Sequence, residues 1–213
     1  MTDNSLYAQL KRCVAGCRIG EYRFEFLPAD VIKAKITQAN IKAELLAREE
    51  IPLKTFGLFK RKPKIDSEIV DQIVQQAPKT FAILTLIEKS LEIKALISEG
   101  FTDADLPLTF DEERDAGVVV KSSSGRILKS CRSWNAHAKD NFRDEQWLVH
   151  APVLGASGQN YNLDARCPIP VTKADEVGRG AYSTVYTCEI HPAHQTGFKV
   201  AFSAVRSIHP FTN

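Results

Sequence analysis

The sequence lacks several features that would place it in a specialised class of proteins. Its 28 basic and 26 acidic residues leave a net charge of only +2, which gives no long-range electrostatic reason to bind nucleic acid or a membrane surface. No apolar run approaches the roughly 18 residues that indicate a membrane-spanning helix. The N-terminal residues contain neither the basic nor the apolar segment of a signal peptide. We therefore expect an intracellular protein, cytoplasmic or nuclear, with no nucleic acid or membrane among its partners.

The chain is also poor in clustered metal ligands. Its five cysteines are scattered and odd in number, which does not indicate a disulfide framework. Cys13 and Cys17 have the spacing of one helix face, but no His or Cys pair completes four ligands, so two small apolar residues on a helix are the favoured interpretation. His191 and His194 share a predicted turn and have only Cys188 and Glu189 as nearby thiol or acidic partners, so they are interpreted as polar residues of a hairpin turn. We expect no metal site.

What the sequence does contain is enough apolar residues, 44%, to form a core. Their helical spacing predicts helices through the first hundred residues, the longest over Pro28–Glu50. Asp66 is one of two candidate N-caps for the next helix, Pro78 is a predicted first helical residue, and Gly100 is a predicted helix stop. A further helix is predicted over Trp134–Gln146.

The second half of the chain changes character. Trp147–Leu154 is predicted to be extended, and the following residues are rich in Gly, Asn and Pro, which is typical of a linker. We therefore divide the chain into a mainly helical N-terminal region (1–154), a linker (155–170) and a strand region (171–213).

Three strands are predicted after the linker, and a glycine-rich turn joins the first two. Val171–Val177 and Ser183–Ile190 have strand-like composition, and Phe198–Ile208 is the third candidate, which together predict an antiparallel meander. The glycine turn therefore opens a strand. This excludes the dinucleotide-binding fingerprint, which opens a helix, and the absence of Gly-Lys-Ser/Thr excludes the Walker phosphate loop.

The glycine turn resembles the phosphate-covering loop of the eukaryotic protein kinase family, and the resemblance covers Val171–Pro210. Tyr182 stands where the family often has an aromatic residue at the loop tip, and Val177 precedes the glycines. Four positions fall on the family's Gly-x-Gly-x-x-Gly-x-Val pattern, with serine in place of the third glycine: Gly178, Gly180, Ser183 and Val185. The resemblance implies ATP as the ligand. The glycines would let phosphates approach the backbone, and Val177 and Val185 would cover the base.

The third strand departs from the family pattern, which has Ala-x-Lys there. One alignment places Ala204 and Arg206 on this pattern, so that arginine replaces lysine; a second, over Val200–Ser203, supplies serine. Arginine keeps the charge but not the compact ammonium group. No His-Arg-Asp, Asp-Phe-Gly or helix glutamate follows Arg206, so we expect no catalytic residues and no ligands for Mg²⁺ in this chain.

The fold class expected is α+β, with a helical N-terminal region followed by an incomplete antiparallel meander that resembles the start of a kinase small lobe. The upstream region is similar to the helical N-terminal region of fungal kinase-domain proteins. The segments that carry this second resemblance are Ile65–Gly100, Asp103–Leu108, Gln146–Val149 and Cys167–Pro170.

Two functions follow as hypotheses. The first is a protein-kinase-like chain, of serine/threonine type if longer, that is either a truncated product or an N-terminal segment and does not transfer phosphate by itself. The alternative is a helical protein-interaction or regulatory module with a vestigial kinase-like tail. In both cases an incomplete sheet leaves an unpaired edge and an apolar face, so we expect a protein partner that covers it.

Overall fold

The computed structural model describes residues 4–53, 65–113, 117–156, 160–180, 183–197 and 202–206, with the backbone alone at 50–53 and 202–206. These residues form helices and small, mostly antiparallel sheets, so the fold class is α+β, as predicted. None of the helices in these ranges is long and apolar enough to cross a membrane.

Helices and strands alternate irregularly along the chain. The α-helices are α1 (Leu6–Arg12), α2 (Ala29–Lys35), α3 (Gln38–Leu53), α4 (Ser67–Gln76), α5 (Pro78–Leu86), α6 (Ile93–Ser98) and α7 (Ala136–Glu145). The strands are β1 (Ala15–Ile19), β2 (Tyr22–Phe26), β3 (Thr109–Glu113), β4 (Gly117–Lys121), β5 (Leu154–Gly155), β6 (Val171–Arg179), β7 (Thr184–Ile190), β8 (Gln195–Thr196) and β9 (Phe202–Arg206).

Helix α5 is the centre of the helical core. Every residue from Thr80 to Leu86 is buried, because the helix is apolar on all sides and a helix without a polar face must be surrounded. It packs against α1, α2, α4, α6 and α7. The helix begins at Pro78, as predicted, since proline has a helical φ and needs no N–H partner in the first turn.

A remote carboxylate caps this central helix. The residue before Pro78 provides no side-chain cap, and Asp103 takes that role from a distant turn of the chain. One Asp103 oxygen accepts from the Lys79 N–H at 2.8 Å, and the other accepts from the Thr80 N–H at 2.9 Å and the Thr80 hydroxyl at 2.8 Å. The first turn of α5 therefore has its otherwise unpaired donors satisfied inside the protein.

The N-terminal segment differs from the helical prediction. Helix α1 ends at Arg12, Cys13 is its C-cap, and Cys17 lies in the antiparallel hairpin β1–β2. The two thiols therefore do not share a helix face. Gly16 makes the hairpin possible, because a Cβ there would overlap the carbonyl oxygen of Phe24 on the paired strand. Helical spacing of the two cysteines was a misleading signal.

Other predicted boundaries are confirmed or corrected. Asp66 caps α4 with its side chain, and α6 ends just before Gly100, whose φ is 74°, both as predicted. The helix expected over Pro28–Glu50 is two helices, because the backbone leaves helical geometry at Ile36 (ψ 72°). The first part of the predicted extended segment, Trp147–Val149, belongs instead to a 3₁₀ turn.

Strands β6, β7 and β9 form one antiparallel sheet in that order, in agreement with the predicted meander. Between β7 and β9 the chain makes a 3₁₀ turn at Pro192–His194 and the short strand β8, which pairs in parallel with β5. The chain after β7 therefore returns to the end of the predicted helical region and the start of the predicted linker, where β5 lies. The turn is held to that region by His194, which lies edge-on to Phe26 with ring centroids 5.1 Å apart.

Replacement of Asp103 tests the remote cap. Asp103→Ala removes the acceptor of three hydrogen bonds and leaves two backbone N–H groups of α5 unpaired, so we expect the free energy of unfolding to fall by about 2–4 kcal/mol. Chemical denaturation followed by circular dichroism measures this. Asp140→Ala is the control, because Asp140 forms only an exposed ion pair with Arg143 and its loss should cost about 0–1 kcal/mol. Equal effects of the two changes would contradict the cap.

Candidate functional site

The backbone register aligns three of the residues predicted to bind ATP. In the β6–β7–β9 sheet, Val185 lies directly opposite Gly178 on one neighbouring strand and opposite Arg206 on the other. Ala204 lies two residues before Arg206, opposite Thr187 of β7. The sheet thus brings together positions that are far apart in the sequence, and it does so in one row that crosses all three strands.

Val177 lies at an irregularity in β6. The register shifts by one residue between Glu176 and Gly178, so Val177 is the extra residue of a bulge. Its side chain is 62% exposed, the highest value among the large apolar residues that the structure describes. It therefore presents apolar surface next to the glycine turn.

The glycine turn itself closes through the backbone. The N–H of Gly180 donates to the carbonyl oxygen of Ser183 at 2.7 Å. This hydrogen bond lies next to the last residue pair of the two strands, Arg179 with Thr184. The Gly180 N–H is therefore engaged within the hairpin rather than directed at a ligand. Tyr182, the predicted tip residue, lies outside the described residues.

The fold does not need glycine at either position of the motif. A Cβ on Gly178 would meet no atom within 4 Å, and a Cβ on Gly180 would lie at an ordinary contact distance, 3.6 Å, from the Ser183 carbonyl oxygen and hydroxyl. Neither glycine is among those with positive φ. What these two glycines provide is uncovered backbone, which is the property that a phosphate-binding loop uses.

The two faces of the sheet have different surroundings. Alternation along β7 places Tyr186, Cys188 and Ile190 on one face and Val185 on the other. Cys188 and Ile190 are buried, and the tip of the β1–β2 hairpin reaches the Tyr186 hydroxyl, which lies 3.5 Å from the position of a Cβ on Gly20. The N-terminal hairpin therefore lies against the Tyr186 face, whereas the row through Val185 belongs to the opposite face.

The charges near the glycine turn are paired with one another. Arg179 donates through Nε and Nη2 to both carboxylate oxygens of Glu176, each at 3.1 Å, and these bonds raise the pKa of the Arg179 guanidinium. On the Val185 face, Lys173 and Asp175 form an ion pair at 2.8 Å, and the Asp175 hydrogen bond raises the pKa of the Lys173 ammonium. All of these side chains are exposed, so a multivalent anion could compete for either cation.

Metal ligands are not clustered: the described ranges contain no group of three or more His, Cys, Asp or Glu residues that could hold an ion. Cys17 faces Cys188 across the hairpin–sheet interface. Burial, and to a smaller extent the neighbouring Cys188, raises the pKa of the Cys17 thiol, and burial also raises the pKa of Cys188. Both are free thiols and stay protonated at neutral pH, the form that is neither a nucleophile nor a metal ligand.

Sequence reasoning missed a cavity of about 480 Å³ between β2, the end of α7 and the segment before β6. Arg166 stacks over the Trp147 ring at 4.4 Å and pairs with Asp164, which lowers the pKa of that carboxyl to about 2. The other two arginines of the cavity wall also have carboxylate partners, at Glu25 and Asp140. The wall is therefore close to electrically balanced and does not select an anion. Its residues come from three separate stretches, so no local pattern indicated it.

No protein-family model, curated protein or solved structure matches this chain. The resemblance to protein kinases therefore depends on the motif residues and on what their geometry supports.

A pair of glycine variants tests the contrast between a glycine that the fold requires and one that it does not. Gly16→Ala places a Cβ on the Phe24 carbonyl oxygen, and we expect it to lower the free energy of unfolding by at least about 2 kcal/mol. Gly178→Ala has open space around the new methyl group, and we expect a change within about 1 kcal/mol, stabilising if it has an effect. Thermal unfolding of both variants beside the unsubstituted protein measures the contrast, and a larger loss at Gly178 would refute it.

Proposed function

We propose that this chain is an N-terminal part or a fragment of a protein-kinase-like protein, and that its β6–β7–β9 sheet binds the phosphates of a nucleoside triphosphate such as ATP without transferring them. The observation that carries the proposal is the row formed by Gly178, Val185 and Arg206 across three antiparallel strands. A glycine turn between antiparallel strands, with a cationic residue on the next strand, is the arrangement by which protein kinases cover phosphates.

Two further observations support phosphate binding at this turn. The backbone at Gly178 is uncovered, and no atom would contact a Cβ there, although the fold gives no reason to avoid a side chain. The N-terminal hairpin lies against the opposite face of the sheet, so the row through Val185 is not covered by it. Apolar Val177 and Val185 beside this backbone are suited to a base that lies flat against them.

Phosphate transfer is not part of the proposal. The His-Arg-Asp and Asp-Phe-Gly motifs, which supply the base and the Mg²⁺ ligands in protein kinases, do not occur among residues 1–213. Arg206 would act as a fixed positive charge for the phosphates. Magnesium would enter only as the ion that ATP carries in solution.

Titration of ¹⁵N-labelled protein with MgATP tests the proposal. We expect amide shifts that saturate at millimolar nucleotide, are largest around Gly178 and Val185, and weaken as salt is added, because exposed charges are screened. Shifts confined to other parts of the chain, or no shifts at millimolar MgATP, would overturn the proposal.

Two variants sharpen this titration. Gly178→Asp adds a carboxylate where phosphate would approach, and a like charge a few ångströms away costs about 1 kcal/mol or more, so we expect affinity to fall roughly fivefold or more. Ala136→Asp adds the same charge at the exposed start of α7, far along the chain from the sheet, and should leave affinity unchanged. An equal loss in both variants would mean that net charge, not the glycine turn, controls binding.

The second candidate function is a helical interaction or regulatory module whose strands are structural. One observation favours it: the turn after β7 packs into the helical region through His194 and Phe26, so the strands have a role in the fold that needs no nucleotide. A protein partner on the Val185 face fits either function. The two functions differ in the titration, since only the first predicts shifts with MgATP.

A further inference from the structure

His194 is a buried histidine that joins three segments of the chain. It is 3% exposed and lies in the 3₁₀ turn between β7 and β8. Its ring packs edge-on against Phe26 at the end of β2 and against His191 of the same turn, with centroid distances of 5.1 and 5.9 Å. A buried histidine in this position is part of the packing between the sheet and the helical region.

Two hydrogen bonds define which nitrogen of the His194 ring carries the proton. Nε2 accepts from the backbone N–H of Ala29 at 3.1 Å, so it carries no proton. Nδ1 lies 3.0 Å from the carbonyl oxygen of Pro152 and must therefore be the protonated nitrogen that donates to it. Ala29 is the first residue of α2, whose N-cap residue, Pro28, makes no side-chain cap bond. His194 thus supplies the acceptor that the start of α2 would otherwise lack.

We propose that His194 is an acid-sensitive latch, which holds the turn after β7 to the start of α2 when neutral and releases it when protonated. A second ring proton would sit on Nε2 and point at the Ala29 N–H, so that two donors would face each other across 3.1 Å. The imidazolium would in addition be enclosed by Phe26 and His191 with little access to water. This inference does not depend on nucleotide binding by the sheet.

The environment of His194 has a net effect against its protonation. Burial is the largest cause and lowers the pKa of His194, and His191 on the same turn lowers it further; the Pro152 and Ala151 carbonyls and Asp30 on α2 act in the opposite direction. In the folded state the pKa is therefore below its ordinary value of 6.5. The native state then binds fewer protons than the released state, so the latch is stable above that ordinary value and weakens as pH falls below it.

Release would affect a defined part of the fold. Strand β8 begins directly after His194, and its parallel pairing with β5 is continued by the Ala156 N–H, which donates to the Thr196 carbonyl at 3.0 Å. The β6–β7 pair has its own ladder of hydrogen bonds and does not involve His194. We therefore expect acid to loosen the turn and the β5–β8 pair before it affects the β6–β7 hairpin.

The test needs a local readout, because half-buried His150, whose pKa burial lowers to about 4, also makes global stability fall with acid. The Ala29 amide is that readout. Between about pH 7.5 and about pH 5, where histidine is the side chain that ordinarily titrates, we expect its hydrogen-exchange protection factor to fall by about tenfold or more, with little change at the Tyr186 amide in β7. Ring ¹⁵N shifts at the higher pH should show His194 with its proton on Nδ1.

Two matched variants assign the effect. His194→Gln keeps an acceptor and a donor but cannot become a cation, so protection at Ala29 should no longer depend on pH. His191→Gln alters the neighbouring ring and should retain the dependence. The proposal is overturned if His194 carries its proton on Nε2 at the higher pH, if protection at Ala29 is the same at both pH values, or if only His191→Gln removes the change. The first two measurements use the unsubstituted protein and hold even if a variant does not fold.

Discussion

Burial of helix α5 is the constraint on which the rest of the structure depends. The helix has no polar side to present to water, so five other helices surround it. Three of them, α1, α2 and α4, precede it in the chain, and two, α6 and α7, follow it. Its first turn has no local side-chain cap, and the Asp103 carboxylate, from the 3₁₀ turn that follows α6, takes that role. Hydrophobic enclosure and a buried polar cap are therefore two parts of one arrangement, because each buried N–H needs a partner once water is excluded.

The sheet is attached to the rest of the fold by defined contacts. The β1–β2 hairpin lies on one face of it, and His194 fixes the turn between β7 and β8 to the start of α2. The hairpin does not cover the other face of the sheet, to which Gly178 and Val185 belong. Two sets of contacts have different structural roles. Hydrogen bonds within the sheet hold the glycine turn, and His194 holds the sheet to the helices.

Much of the candidate site could be predicted from local sequence. The strand-turn-strand arrangement and the glycine turn depend on residues close together in the chain, and the structure places them as expected. The opposite positions of Val185 and Arg206 could not be read from the sequence, because the chain between β7 and β9 makes a turn and pairs with β5 before it returns. The role of His194 was also missed: its hydrogen-bond partners lie far away in sequence, so a histidine in a polar turn gave no signal of burial.

The sequence alone determined the mixed composition of helix and strand, the starts of α4 and α5, and the order of the last strands, since periodicity, capping residues and turn residues act over a few positions. The tertiary structure alone decided that residues 15–26 form a hairpin, because that depends on how Gly16 approaches Phe24 across the pair. It likewise decided which face of the sheet the hairpin covers and which buried donors Asp103 and His194 satisfy. These outcomes depend on contacts between residues distant in the chain, whose free energy is set by burial and geometry that no local pattern encodes.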